Sequence, residues 1–318
     1  MDPYVVSARK YRPTHFGEVI GQEHVTETLT KAIESNHLAQ ALLFTGPRGV
    51  GKTTCARILA RMINEDGDQS KGNDFAFNIF ELDAASNNSV DDVRSLVDQV
   101  RFAPQNGKYK VYIIDEVHML SQSAFNAFLK TLEEPPAHTI FILATTEKHK
   151  IIPTILSRCQ IYDFKRISVP DIVEQLRHVA SLEGITAEET ALHTIAEKAD
   201  GALRDALSIF DRMATSGAGE VTYAQVLANL SILDHDYYFK VIELARQGDA
   251  AGLLLLFNDI LEKGFDGHIF LNGLAAHIRD LLVAGDPATS GLLEKSEEVR
   301  KRYNEQAGLI TAAQCFKS

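Results

Sequence analysis

Hydrophobic and polar positions follow two different rules along the 318 residues, and the change comes near residue 168. Before it, short apolar runs end in glycine or acidic residues and alternate with helical periodicity. Ala41–Phe44, Ile79–Leu82, Lys110–Asp115, Thr139–Ala144 and Ile161–Phe164 read as strands. Between them the spacing predicts helices over Glu23–Ser35 (Val25, Leu29, Ala32 and Ile33 on one face), Thr53–Met62, a start at Asn88 or Ser89 running to about Phe102, Ser121–Leu132 closed by Glu-Glu-Pro-Pro, and Pro153–Arg158. The strand at Ile79 is expected between the Ala41 strand and the Lys110 strand. Beyond Ser168 helical periodicity takes over, with Ile172, Val173, Leu176, Val179 and Ala180 on one face. Further helices are predicted near 188–199, 203–215, 223–230, 236–246, 250–263, 268–284 and 292–305.

Strands alternating with helices predict an α/β fold with a five-stranded parallel sheet. The change of pattern divides the chain into an α/β nucleotide-binding domain over 1–166, a small helical lid over 167–218 and an all-α domain over 219–318. Gly217-Ala218-Gly219 is the expected hinge between the last two.

Composition narrows the setting. No run of eighteen apolar residues predicts a membrane span, and the start MDPYVVSARKYRP lacks the apolar stretch of a signal peptide. Cys55, Cys159 and Cys315 are isolated, which predicts neither a disulfide framework nor a C-x-x-C metal site. A cytoplasmic protein is expected. The formal net charge of −11 argues against coating nucleic acid by bulk attraction, while leaving room for local contact through a few basic residues and helix N-termini.

The chemistry is concentrated after the first strand, where GPRGVGKTT fills every fixed position of G-x-x-x-x-G-K-[ST]. Glycines let backbone N–H groups turn inward around a polyphosphate, and the following helix points its positive end at the same anion. Gly46, Pro47, Arg48, Gly49, Val50, Gly51, Lys52, Thr53 and Thr54 are the candidate nucleotide contacts. Lys52 is expected on the β/γ-phosphates and Thr53 on Mg²⁺. Asp115-Glu116 closes an apolar strand, as the second half of a nucleoside-triphosphatase site does: Asp115 to hold Mg²⁺, Glu116 to orient the attacking water. An acidic pair at a strand end, taken alone, also suits ordinary surface polarity. Thr145 or Thr146, at the C-terminal end of the fourth strand, stands where α/β sheets bind ligands, or is simply a hydroxyl at a strand end. Tyr11 and Pro13 precede the loop and either cover an adenine or belong to an arm packed on the surface.

In order, KYRPTHFGEVIGQ, GPRGVGKTT, ELDAASNNSVDDVR, VYIIDEVHMLS, FNAFLKTLEEPP, LATTE and ILSRCQ resemble the γ/τ family of bacterial DNA polymerase III subunits, from the N-terminus to the end of the chain. The resemblance implies an AAA+ ATPase of the sliding-clamp loader, using ATP and Mg²⁺, with partner loader subunits, the clamp and primer–template DNA. It implies that Arg158 is an arginine finger serving the neighbouring subunit's ATP. Arg204 would be a lid sensor touching the γ-phosphate, and Thr146 would hold the first sensor position. The segments Tyr11-Arg12-Pro13 and Val19-Ile20 would line the adenine pocket. The helix opening at Asn87, Asn88 and Ser89, with Arg94 and Lys130 nearby, is the candidate DNA contact. Without the resemblance, Arg158 reads as a surface arginine in a solvated turn.

Two departures from the family pattern stand out. The family's cysteine-bearing zinc module is missing, since 64–78 contains no Cys, so zinc is not expected; a deletion or a lineage without the module would each account for it. The last domain also ends early at Ser318, which predicts weakened collar-mediated oligomerisation. Rival readings are an AAA+ branch-migration helicase, disfavoured by the absence of an obvious winged-helix tail, and a structural subunit that binds nucleotide without hydrolysis, disfavoured by Lys52, Asp115 and Glu116.

Overall fold

The computed structural model describes residues 5–64, 78–104, 107–293 and 295–309, which form two compact units. The polar stretch after Asn64 (65–77), Cys315 and the end of the chain lie outside the described residues.

The first unit spans Met1–Ile172 and Ala199–Ser208. It is built on strands β1 (Ala41–Thr45), β2 (Ile79–Asp83), β3 (Lys110–Asp115), β4 (Thr139–Thr145) and β5 (Gln160–Asp163), in the order β2-β3-β4-β1-β5 and all parallel. One strand does separate the glycine-loop strand β1 from the acidic strand β3, but it is β4. The Ile79 strand was expected there and instead lies at the sheet edge beside β3 alone. The reason is burial: every residue of β4 is buried, as a central strand requires, whereas Ile79, Phe80 and Leu82 alternate with Glu81 and Asp83 and none of the five is buried.

Alternation along β1 supplies both faces of the sheet. Leu42 and Phe44 enter one apolar cluster with Val25 and Leu29 of α2 (Glu23–Glu34) and Ile58 and Leu59 of α3 (Lys52–Met62). Ala41 and Leu43 face the other way, onto α4 (Val90–Val100), α5 (Gln122–Glu133) and α6 (Pro153–Leu156), through Val93, Leu96, Phe125, Phe128 and Ile155. A short helix, α1 (Ser7–Lys10), precedes them in the chain. Ser89 caps α4 by a capping box with Asp92, and Ser121 accepts from Ala124 N to cap α5.

The second unit spans Val173–Lys198 and Ile209–Ser318. Helices α7 (Val169–Glu183) and α9 (Leu203–Ser216) straddle the sequence boundaries of the two units; α8 (Glu189–Lys198), α10 (Tyr223–Leu230), α11 (His235–Gln247), α12 (Ala250–Glu262), α13 (Gly267–Gly285) and α14 (Glu297–Ala307) complete the second. Thr186–Ala187 and Glu220–Val221 pair as a short parallel ladder that periodicity did not reveal. At the expected hinge the backbone makes a tight left-handed turn, with Ala218 at φ 52° and Gly219 at φ 96°. The helix predicted from Leu292 starts later. Ser290–Leu292 is a single 3-10 turn, and α14 begins after Ser296, with Glu297 and Glu298 in its first turn. Inside this unit His277 is 2% exposed, its Nδ1 2.7 Å from the Tyr303 hydroxyl, while Lys295 Nζ donates to Glu197 at 3.0 Å and lies 3.6 Å from Asp280. No helix among the described residues is long and apolar enough to cross a membrane.

Candidate functional site

The C-terminal ends of the sheet strands converge on one cleft of about 380 Å³ within the first unit. The glycine loop forms its floor because three of its backbones require glycine: Gly46, Gly49 and Gly51 have φ of 144°, 75° and 104°. A Cβ on Gly46 would lie 2.3 Å from the Phe164 carbonyl oxygen, so the loop departs from β1 pressed against the residue that follows β5. Gly51 is the N-terminal boundary of α3, whose first residue is Lys52. The loop is braced from the far side, where Arg204 N donates to Gly49 O at 3.4 Å.

Lys52 is 6% exposed, and its ammonium donates to the carbonyls of Gly46 (2.7 Å) and Pro47 (2.6 Å). Burial lowers its pKa, and the carboxylates of Glu116 and Asp115 oppose that shift. The Thr53 hydroxyl donates to Asp115 Oδ2 at 2.6 Å, joining α3 to the end of β3. The other Asp115 oxygen accepts from Glu116 N at 2.9 Å. Glu116 adopts the left-handed region (φ 47°, ψ 44°), uncommon for a residue with a Cβ, and this turns its carboxylate towards β4. There Glu116 Oε2 accepts from both Thr146 N (3.2 Å) and Thr146 Oγ1 (3.0 Å). Of the two threonines left open, Thr146 thus holds Glu116, while Thr145 is buried and stands 3.1 Å from His118 Nδ1.

Tyr11, Arg12, Pro13, Val19 and Ile20 line the same cleft, so this segment is an arm folded over the loop. Its anchor is Gln22, fully buried, whose side-chain amide donates to Lys165 O (2.7 Å) and accepts from Lys165 N (3.1 Å). Gly21 (φ 69°) lets the chain turn against Ile167 just before it. Leu203, Arg204 and Leu207, at helical spacing on α9, form the opposite wall with Ile167. The pattern reading named Arg204 but missed Ala8, Asp83, Ile167, Leu203 and Leu207, all of which also line the cleft. Asp83 ends β2, so the rule that ligands sit beyond carboxyl strand ends was a usable signal. Leu203 and Leu207 carried only an ordinary core spacing.

Four expected site residues, Arg158 among them, do not line the cleft directly. Gly46 and Pro47 meet Lys52 through their carbonyls, and Thr146 acts through Glu116. Arg158 lies elsewhere in the unit, following α6. It pairs with Glu133 at 2.7 Å and donates to Thr154 O at 2.6 Å. The N-terminus of α4 is occupied by its own chain: Ser89 and Asp92 satisfy each other's backbone N–H groups, Asp91 and Asp92 sit in the first turn, and Asn87 Nδ2 donates to Asp83 O. Arg94 lies 3.6 Å from Asp91, and Lys130 is exposed on α5. Among the described residues no group of three or more His, Cys, Asp and Glu is arranged to hold a metal.

Comparison with known proteins bears on the same regions. Residues 21–168 match a family model described as DNA polymerase III, delta subunit, and 171–219 match one described as the DNA polymerase III clamp loader subunit, ATPase lid domain. DNA polymerase III subunit tau of Bacillus subtilis (strain 168) is 42% identical over 95% of this chain and 56% of its own length; that of Escherichia coli (strain K12) is 40% identical over 94% and 48%. The chain thus spans about half the length of these curated relatives. It covers more of DNA polymerase III subunit gamma of Buchnera aphidicola (subsp. Baizongia pistaciae, strain Bp), 37% identical over 88% of this chain and 78% of that one. Among solved structures, the Thermotoga maritima RuvB Holliday junction branch migration motor aligns with a TM-score of 0.54 at 23% identity, covering 95% of this chain and 92% of that one, a likeness of fold. The glycine loop, the acidic strand and the arm over the cleft therefore sit in a P-loop AAA+ fold, and on its similarity to tau and gamma subunits along almost its whole length the chain belongs to the DNA polymerase III gamma/tau family.

Proposed function

We propose that this chain is an ATP-hydrolysing subunit of a bacterial sliding-clamp loader, working in the cytoplasm with partner loader subunits, a sliding clamp and primer–template DNA. The observation that carries the reading is the convergence in one cleft of a glycine cradle, a buried lysine, a hydroxyl–carboxylate pair and a second carboxylate held by a threonine. The cradle and the N-terminus of α3 suit a triphosphate; the apolar flanks Val19, Ile20, Ile167 and Leu203 suit a base. Lys52 exchanges loop carbonyls for β/γ-phosphate oxygens. Thr53 Oγ1 and Asp115 Oδ2, 2.6 Å apart, offer two hard oxygen donors of the kind Mg²⁺ takes. When bound, that cation neutralises charge on the phosphates. Glu116 orients water for attack, Thr146 sets the direction of its carboxylate, and Arg204 adds a positive charge beside the loop.

Arg158, outside its own cleft, acts in trans on a neighbouring subunit's phosphates after leaving Glu133. The reading assigns 1–166 to ATP binding, 167–218 to a lid and 219–318 to a collar. On DNA, the sealed N-terminus of α4 favours contact through the side chains of Arg94 and Lys130 rather than through free N–H groups.

Assembly of the full-length subunit with its loader partners, clamp and primed DNA tests this. Hydrolysis should rise with primed DNA, and Arg158→Ala should spare nucleotide binding yet lower turnover by about a thousandfold or more. No DNA stimulation would remove the loader reading, and an equal slowing by Arg158→Ala in the isolated chain would remove the trans role.

A further inference from the structure

Beside Glu116 sits a histidine that the hydrolytic reading has not used. His118 lies in the 3-10 turn Val117–Met119, and its side chain is 7% exposed. Its Nδ1 is 3.3 Å from Glu116 Oε2 and 3.1 Å from Thr145 Oγ1, and its Nε2 is 3.0 Å from Glu147 Oε2. We propose that His118 is a positioning residue for Glu116, its ring aimed by Glu147.

The left-handed backbone of Glu116 fixes where its side chain leaves the main chain, but the carboxylate can still rotate about the side-chain bonds. Only contacts at its oxygens decide which way it faces. Thr146 supplies two donors to Oε2 from the β4 side, and His118 Nδ1 stands at the same oxygen from the 3-10 turn. An imidazole directs one nitrogen reliably only if the other is also held. Glu147 provides that hold. Its Oε2 accepts from Lys150 Nζ at 2.7 Å, and its backbone N donates to Thr145 Oγ1 at 3.0 Å, which fixes it on both sides. The pairing with Lys150 also keeps the Glu147 carboxyl below its usual pKa, so the anion behind the ring persists. Val117, fully buried, ties the turn to the core beneath the sheet. Glu147, His118 and Glu116 thus form a line from the start of the Lys148–Lys150 turn to the group that orients water.

The inference rests on Glu116 as the water-orienting residue, and the test separates the two. In the full-length subunit assembled with its loader partners, clamp and primed DNA, three variants are compared by nucleotide affinity and by kcat. The amide of His118→Asn stands near the Nδ1 position and that of His118→Gln near Nε2. Both should bind nucleotide within about twofold of the parent, while His118→Gln lowers kcat by about tenfold or more and His118→Asn recovers most of it. Equal kcat in both variants, or parallel losses of affinity and kcat, would overturn the positioning role. Parent-like turnover in Glu116→Gln would overturn the underlying reading and the inference with it. An inactive Glu116→Gln beside normal His118 variants would overturn the inference alone.

Discussion

Replacing Lys52 by Ala separates what the lysine does for the fold from what it does for the ligand. Lys52 is 6% exposed and its ammonium makes two short bonds to loop carbonyls, at 2.7 and 2.6 Å. Hydrogen bonds to a charged group contribute about 1.5–3 kcal/mol each. Removing that charge from water costs several kcal/mol and cancels most of the gain. Without nucleotide, Lys52→Ala should therefore unfold within about 1 kcal/mol of the parent. Nucleotide at a hundred times its Kd stabilises the parent by about 2.7 kcal/mol. That should raise the melting temperature of the unit by roughly 5–10 °C. Loss of the charged contacts to phosphate, about 3 kcal/mol, weakens affinity roughly a hundredfold. At the same nucleotide concentration the stabilisation then falls to about 0.4 kcal/mol, a shift of about 1 °C. Thermal unfolding of both proteins with and without Mg²⁺ and a non-hydrolysed ATP analogue measures every quantity. A full shift in Lys52→Ala would mean that Lys52 makes no energetically important contact with the phosphates. A variant much less stable than the parent before any nucleotide is added would mean that the loop, rather than the ligand, depends on the charge.

Two further outcomes follow from the same structure. Burial pushes His277 and His235 down to about 4, aided by Lys295 and Arg302, whereas an unfolded chain protonates each imidazole near 6.5. The unfolded state therefore binds more protons between those values, and stability is complete above pH 6.5 and lost as pH falls towards 4. At pH 5 the loss is roughly 2 kcal/mol per histidine, read as a lower urea midpoint for the second unit; an unchanged midpoint from pH 7 to 5 would contradict it. Gly46→Ala should destabilise the first unit by roughly 2–4 kcal/mol, since it joins a backbone at φ 144° to a 2.3 Å approach to Phe164 O. Denaturant unfolding would show it, and parent-like stability would mean that β1 and the Phe164 backbone can separate freely.

Elements with a strong local signal were legible in the chain. The β1 run followed by GPRGVGKTT announced strand, loop and helix together, and Tyr223–Leu230 formed a helix over the range its periodicity predicts. Strand order was less accessible, because each run shows how apolar a strand is but not which strand it pairs with. The alternation in Ile79–Asp83 nevertheless carried an edge-strand signature that can be weighed against the uniform burial of β4. At Leu292 an apolar spacing outweighed the better start signal, Ser296 with two glutamates after it. The far wall of the cleft escaped notice because Leu203 and Leu207 look like any core pair, and only the return of the chain from the second unit gives them a ligand-facing role. His118 was hidden for a similar reason. Its partners Glu116, Thr145 and Glu147 come from the ends of two different strands, brought side by side by β3–β4 pairing.

The amide clamp between Gln22 and Lys165, together with the Arg204–Gly49 bond, bears on how the protein is made. A chain leaving the ribosome exposes its glycine turn once residue 54 has emerged, but Gln22 has no backbone to grip until some 143 positions later. Leu207, the last residue of the far wall, appears later still. If the cleft takes nucleotide as proposed, the complete site is available to it only near the end of synthesis of the first unit, so the sheet must form and hold by its own apolar burial before that ligand can stabilise it.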